Sequence, residues 1–372
     1  MNLEKALNIE SKDKKAETWL ERVRKYYRGD FHSHSLRSSR TDIDGSKEKM
    51  VHSDSRLIQY ANKLGFDFLS FSEHSSNPGN PKKLSPEHPI CQSLLNQKAR
   101  VEEINNSEKY KTKAYSAVEA NIFFDNDEAV IDVPNSVLSQ LDLVVASRHS
   151  ISDKLEPKKI KESFLMAVNN PEVDIIGHPY RGIEFYENDW NYFKKYYRQD
   201  DKIGAELESL EKNKDWNKIK QIIGKKEVED ESVRNYKTLF DNLKNEYWDV
   251  WEEILKAMEK NGKCFEINLS SFNPGKEYYI TLLNKAAKYQ GLNFSITFDF
   301  HNLGQLDSYD NKNFVSEVPS DIKNPARAKG VQRMLQLIDL LESNNISSDR
   351  IVNSSVLNLE KFMNSRNKLR SD

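Results

Sequence analysis

The sequence is short of cysteine. Only Cys91 and Cys264 occur, far apart and without CxxC spacing. That excludes a thiolate zinc site and a disulfide framework, and it fits a reducing compartment. Long apolar runs are missing too: no stretch of about 18 apolar residues occurs, the length a membrane-crossing helix needs. The opening residues, MNLEKALNIESKDKK, are charged from position 4 and lack the apolar segment of a secretory signal. A soluble, cytoplasmic chain with no membrane partner is expected. Charge of one sign is also lacking. The 56 Lys and Arg against 58 Asp and Glu leave a formal net charge of −2, so no global basic field draws nucleic acid.

What is present is a polar but globular composition, 37% hydrophobic and 31% charged over 372 residues. That length suits one barrel-sized domain with an insertion, or two domains. The chain is organised around Asp30-Phe31-His32-Ser33-His34. Two imidazoles two residues apart on an extended backbone point to the same side. They stand where a strand (28–32) gives way to a polar loop, which is where a (β/α) barrel keeps its chemistry. Neutral imidazole is also the commonest transition-metal ligand.

The rest of the chain answers this pair. A short amphipathic helix over 16–25 precedes it, and a helix over 54–64 is stopped by Gly65. The strand 66–72 ends on Glu73-His74, and a helix over 90–106 follows. Further strands are expected at 113–118, ending on Glu119; at 141–147, ending on Arg148-His149; at 173–177, ending on His178; at 264–268; and at 293–298, ending on Asp299-Phe300-His301. Most are separated by segments that read as helical, the pattern of repeated β/α units on a parallel sheet. Of the eight histidines, six (His32, His34, His74, His149, His178, His301) sit at strand ends, while His52 and His88 read as ordinary. One rim is the only place a parallel barrel can converge side chains from distant sequence.

Between the fifth and sixth strands lies an excess stretch, 183–245, with 14 Asp and Glu against 13 Lys and Arg and with Trp190, Tyr192, Phe193, Tyr196, Tyr197 and Trp216. It reads as helices feeding a long helix over 232–260, either a lid or a solvated decoration. Asn324 and Pro325 suit the N-cap and first position of another helix, and 357–363 reads as the closing one. The expected organisation is an N-terminal arm and helix (1–27), a barrel formed by 28–182 and 246–372, and the helical insertion 183–245.

Taken together, DFHSHS (30–35), FDFLSFSEHS (66–75), AVEANI (117–122), DLVVASRH (142–149), IIGHPYR (175–181), FEINLS (265–270) and FDFH (298–301) resemble the PHP (polymerase and histidinol phosphatase) family of metal-dependent phosphoesterases. The tail SSDRIVNSSVLNLEKFM is similar to the family's C-terminal end. The resemblance implies an α/β fold, a distorted seven-stranded (β/α) barrel, in agreement with the strands counted above. It implies two to three divalent ions (Zn, Mn or Fe) held by nine side chains: His32, His34, Asp44, His74, Glu119, His149, His178, Asp299 and His301. Glu119 matches the bridging carboxylate, His149 and His178 the second metal's imidazoles, and His74 and His301 the third's. For the ninth position Asp42 and His52 rival Asp44. Two departures stand out: Glu73 replaces the usual Asp as an acceptor that orients an imidazole, and the bulky Phe300 precedes His301.

The implied chemistry is hydrolysis of a phosphate ester by metal-activated hydroxide. Glu119, Asp299 and Arg181 fall in the catalytic set, and Arg148 and Arg181 are candidates to clamp phosphate bidentately. A small phosphorylated substrate is the leading partner. The alternatives are a phosphodiesterase or exonuclease acting on single-stranded nucleic acid and a non-catalytic metal-stabilised subunit.

Overall fold

The computed structural model describes residues 19–35, 53–78, 80–149, 157–179, 231–271, 277–299 and 325–371. The strands are β1 (Gly29–Asp30), β2 (Phe68–His74), β3 (Lys113–Asp125), β4 (Glu128–Ile131), β5 (Leu143–Ser147), β6 (Ile175–Gly177), β7 (Cys264–Asn268) and β8 (Asn293–Thr297), with β5 and β6 the most apolar and β-branched of them. The sheet order is β1-β2-β3-β5-β6-β7-β8, and every neighbouring pair is parallel. Helix α1 (Trp19–Tyr26) precedes β1; the connections between strands carry α2 (Asp54–Leu64), α3 (Pro89–Asn106), the short α4 (Asn135–Leu138), α5 (Pro157–Asn169), α6 (Glu231–Lys260) and α7 (Glu277–Ala287); and α8 (Pro325–Ser343) and α9 (Val356–Ser371) follow β8. Gly65 ends α2 in the left-handed region at φ 73°, a conformation that costs glycine nothing. His88 has a local duty: its ring accepts the N–H of Ile90 and caps α3.

The third strand is longer than the sequence reading had it. It runs past Glu119 to Asp125 and pairs antiparallel with β4, Ile122 opposite Ile131 and Phe123 opposite Val130. The turn residues Asn126 and Asp127 both have positive φ (49° and 67°), as a two-residue hairpin whose twist matches its strands requires. Glu119 points inward without ending the strand, because only alternate residues face the barrel. The first strand is shorter than expected, two residues rather than five, and the closing helix longer. Asp44, its rivals Asp42 and His52, Arg181, Phe300, His301, Asn324 and residues 183–230 of the insertion lie outside the described residues.

Although β1 and β8 stand at opposite ends of the sheet order, the sheet curls until they are joined. Asn353, wholly buried in a 3-10 turn before α9, donates from Nδ2 to the carbonyls of Gly29 (2.8 Å) and Ile296 (2.5 Å). Its Oδ1 accepts the N–H of Ile296 at 3.0 Å, and its own carbonyl accepts the N–H of Arg28 at 2.8 Å. One asparagine thus stands in for the missing strand pairing and closes a (β/α) barrel.

Period-2 alternation then sorts the side chains. Val118, Ala120, Val144, Ala146, Phe265, Ile267, Phe294 and Ile296 belong to the core between sheet and helices. Phe31, Phe68, Ala117, Leu143, Val145, Ile175 and Cys264 form a second apolar cluster with Leu359 and Phe362 of α9, which plugs the floor of the barrel. Arg366 anchors that helix through Asp174 (2.9 Å) and the Leu141 carbonyl (3.0 Å).

Replacing Asn353 by leucine would strand buried polar groups of Gly29 and Ile296 at once. Such a loss should cost about 3 kcal/mol or more, read as a lower urea midpoint with an unchanged m-value.

Candidate metal centre

Toward the C-terminal ends of the strands the interior face turns polar. His32 and His34 follow β1, His74 closes β2, Glu119 lies within β3, and His149, His178 and Asp299 come just after β5, β6 and β8. Although β1 stops at Asp30, the chain stays beside β2 through serines. Ser33 N–H donates to Ser72 Oγ (2.9 Å), Ser72 N–H to the Ser33 carbonyl (2.9 Å), and Ser70 Oγ to the Phe31 carbonyl (2.5 Å). This stitching preserves the strand-like spacing that aims both imidazoles at one point. Asp30, wholly buried, accepts from Tyr27 Oη (2.7 Å), His32 N (2.7 Å) and Phe298 N (2.9 Å). Burial pushes its carboxyl up to about 7 in spite of those bonds. Gly177 precedes His178 because a Cβ there would lie 2.0 Å from Ser147 Oγ. Two site residues carry backbone strain: His178 at φ 24° and Asp299 at φ 53°, positions where a non-glycine residue costs on the order of 1–2 kcal/mol.

Glu119 is the centre. It has no exposure, and its two oxygens face different imidazoles. Oε1 lies 2.7 Å from His178 Nε2 and 3.0 Å from His149 Nε2; Oε2 lies 2.8 Å from His74 Nδ1, 3.2 Å from His32 Nε2 and 3.5 Å from His34 Nε2. Asp299 Oδ1 adds contacts of 3.1 Å to His34 Nε2 and 3.6 Å to His32 Nε2. Three sets of ligand atoms cluster closely enough to share an ion: His32, His34 and Asp299; His32, Glu119 and His178; His34, His74 and Glu119. The rings of His149 and His178 lie 5.0 Å apart.

Burial alone would raise the Glu119 carboxyl, but the imidazoles of His149, His32 and His74 outweigh it and hold the group well below the ordinary carboxylate range. His32 is the reverse case. Burial lowers it, and Glu119, Glu266 and Asp299 together lift it well above an ordinary imidazole. His149, with fewer carboxylates in reach and two imidazoles nearby, is driven down by burial to about 3.

The residues fit divalent cations. His32 Nε2 and Glu119 Oε2 face each other yet neither makes a hydrogen bond, and His178 Nδ1 is likewise buried without one. Sulfur-free imidazole and carboxylate donors suit zinc, manganese or iron. Seven of the predicted ligands (His32, His34, His74, Glu119, His149, His178 and Asp299) are brought to this one place. Arg148, the residue before His149, is 8% exposed, and its charge reaches the hydroxyl of Tyr247 on α6. Glu73 accepts the N–H of Ser35 at 3.1 and 3.2 Å.

Sequence reasoning missed Glu266, Asn121 and Asp132. Glu266 Oε1 accepts from His32 Nδ1 (2.6 Å) and Thr297 Oγ1 (2.7 Å), and its Oε2 accepts the backbone N–H of His178. The signal was available: an acidic residue in the middle of the buried strand CFEIN needs a partner.

No family model matches the chain. In sequence it is 30% identical over 158 residues to a probable phosphatase of Caldanaerobacter subterraneus, covering 40% of this chain and 51% of that protein. A probable phosphatase of Clostridium acetobutylicum is 29% identical over 124 residues, 32% of this chain and 44% of its own. The DNA polymerase/3'-5' exonuclease PolX of Bacillus subtilis is 28% identical over 152 residues, 41% of this chain and 23% of its own. The PHP resemblance read from the motifs holds. The chain spans about half the length of the two phosphatases it matches. A solved histidinol phosphate phosphatase from Lactococcus lactis aligns over 86% of this chain and 94% of its own, at a TM-score of 0.44 and 14% identity.

Because Glu266 fixes the outward nitrogen of His32, Glu266→Leu should weaken Zn²⁺ binding roughly 10- to 100-fold. Competition against a chromogenic chelator would measure it, and an unchanged affinity would show that His32 needs no such partner.

Proposed function

We propose that this chain is a metal-dependent phosphoesterase acting on a small phosphomonoester. The observation that carries the reading is the single buried carboxylate, Glu119, whose two oxygens face separate groups of imidazoles while Asp299 stands against His32 and His34. Two to three divalent ions would be held by these side chains, with Asp44 and His301 completing the set that the PHP resemblance implies. Such ions supply acidified water and polarisation of phosphoryl oxygens. The protein's own part is positioning: Glu119 spans two ligand groups, Glu266 orients His32, and low-dielectric walls strengthen every charge interaction inside. Arg148 and Arg181 are the cations proposed to meet the substrate's phosphate.

A second reading, a phosphodiesterase on single-stranded nucleic acid, draws on the similarity to the Bacillus polymerase/exonuclease. One panel decides between them: histidinol phosphate, nucleoside monophosphates and p-nitrophenyl phosphate against a labelled single-stranded oligonucleotide. Turnover of the monoesters above the oligonucleotide favours the first reading, and the opposite order the second.

Reconstitution with Mn²⁺ or Zn²⁺ should leave two to three ions per chain by elemental analysis, and less than one equivalent would sink the proposal. Glu119→Gln should lower kcat/KM at least 100-fold, about 3 kcal/mol of transition-state stabilisation, because an amide is a poor bridge between cations. Activity within tenfold of the unaltered enzyme would show that Glu119 does not bridge.

A further inference from the structure

The β3–β4 hairpin carries Asp132, wholly buried one residue past β4. Both of its oxygens are engaged. Oδ1 accepts the backbone N–H of Asn121 (2.9 Å); Oδ2 accepts Asn121 Nδ2 (2.8 Å), Ser75 Oγ (2.6 Å) and Ser76 Oγ (2.6 Å). An amide NH₂ only donates and an amide oxygen only accepts. A carboxylate against Nδ2 therefore settles which way the Asn121 amide points, since the flipped amide would set oxygen against oxygen in a site without water's dielectric. With Nδ2 held, Oδ1 faces His149 Nδ1 at 2.7 Å.

That contact is a hydrogen bond only if His149 carries its proton on Nδ1. On the neutral ring the other nitrogen, Nε2, then presents a lone pair 3.0 Å from Glu119 Oε1. Lone pair against carboxylate is repulsive unless a positive charge joins them, and a cation does so. The same hairpin reaches a third strand end: Ser75 follows His74 in sequence, and its backbone N–H donates to the Glu119 carbonyl (3.1 Å).

We infer that Asn121, locked by Asp132, is a positioning residue that holds His149 as the Nδ1–H tautomer and makes Nε2 its ligand atom. This rests on the metal-dependent reading above, but it can fail separately. The first measurement needs no variant of the network. The full chain, loaded with Zn²⁺ and labelled with ¹⁵N-histidine, is examined by long-range ¹H–¹⁵N correlation, His149 being assigned by its loss in His149→Gln. A protonated Nδ1 and a metal-bound Nε2 are expected. Zn²⁺ bound with His149 protonated on Nε2 overturns the inference alone, whereas a chain that binds no Zn²⁺ overturns the metal-dependent reading and this with it.

The second measurement is a cycle of Zn²⁺ affinities for Asn121→Leu, His149→Gln and the double variant. Asn121→Leu should weaken binding about 10- to 100-fold and add nothing further once His149 is gone. Losses that multiply in the double variant would mean that Asn121 acts through the fold and not through His149. If Asn121→Leu does not fold, Asp132→Asn takes its place in the cycle with the same expectation.

Discussion

A carboxylate with no exposure cannot stay ionised in an apolar barrel unless positive charge surrounds it. Glu119 is that carboxylate, and the rim of the barrel is arranged to meet its demand. Five imidazoles approach within 3.5 Å, but they do not share the load equally. His32 also sees Glu266 and Asp299 and is held well above an ordinary imidazole, whereas His149 has neither and is neutral by a wide margin. The surrounding carboxylates thus favour the protonated form of His32. Acidic groups crowded against imidazoles make a site suited to exchanging protons for cations of higher charge, which is the physical root of metal binding coupled to proton release.

What allows such a concentration of charge is the layer beneath it. On β3 the interior sequence runs Ala117, Glu119, Asn121; on β7 it runs Cys264, Glu266, Asn268; on β8 it runs Ser295, Thr297, Asp299. The apolar members join Phe31, Phe68, Leu143 and Ile175 over the plug from α9, so the floor beneath the charged layer is apolar. Asn353 keeps that wall continuous by bonding to both Gly29 and Ile296. The strained backbones of His178 and Asp299 are tolerated because the registers of β6 and β8 are already set by their neighbours.

Much of this was legible in the sequence, and the reasons are specific. Strands such as LVVAS and CFEIN are buried on both faces, as parallel strands between helices must be, and they stand out as apolar runs. Histidines at strand ends pointed to the rim, and the five among the described residues (His32, His34, His74, His149 and His178) stand there. The hairpin was not legible, because Phe66–Ser72 and Lys113–Val118 had suggested that strands end at their polar residue, and Glu119 breaks that rule by facing inward from mid-strand. Barrel closure was not legible either: Asn353 lies 324 residues from Gly29, and no local pattern distinguishes it from other asparagines near a helix start. Glu266 was visible as a buried acid but had no partner in sequence, since His32 lies 234 residues away.

Glu73 shows how a departure from a family pattern acquires a physical meaning only in three dimensions. In sequence it stands where the family has Asp, and the expectation was an acceptor orienting an imidazole. In the fold its carboxylate reaches the backbone N–H of Ser35 with both oxygens, just past the serine stitching that carries His32 and His34 along β2. Ser33 and Ser72 exchange bonds across the same seam. The extra methylene of Glu extends β2's hold on the 31–35 segment by one more residue, beyond the point where strand pairing has ceased. A strand of only two residues can then present two imidazoles to a fixed point, because side chains of the adjacent strand, together with the Ser72–Ser33 backbone bond, hold the segment in line.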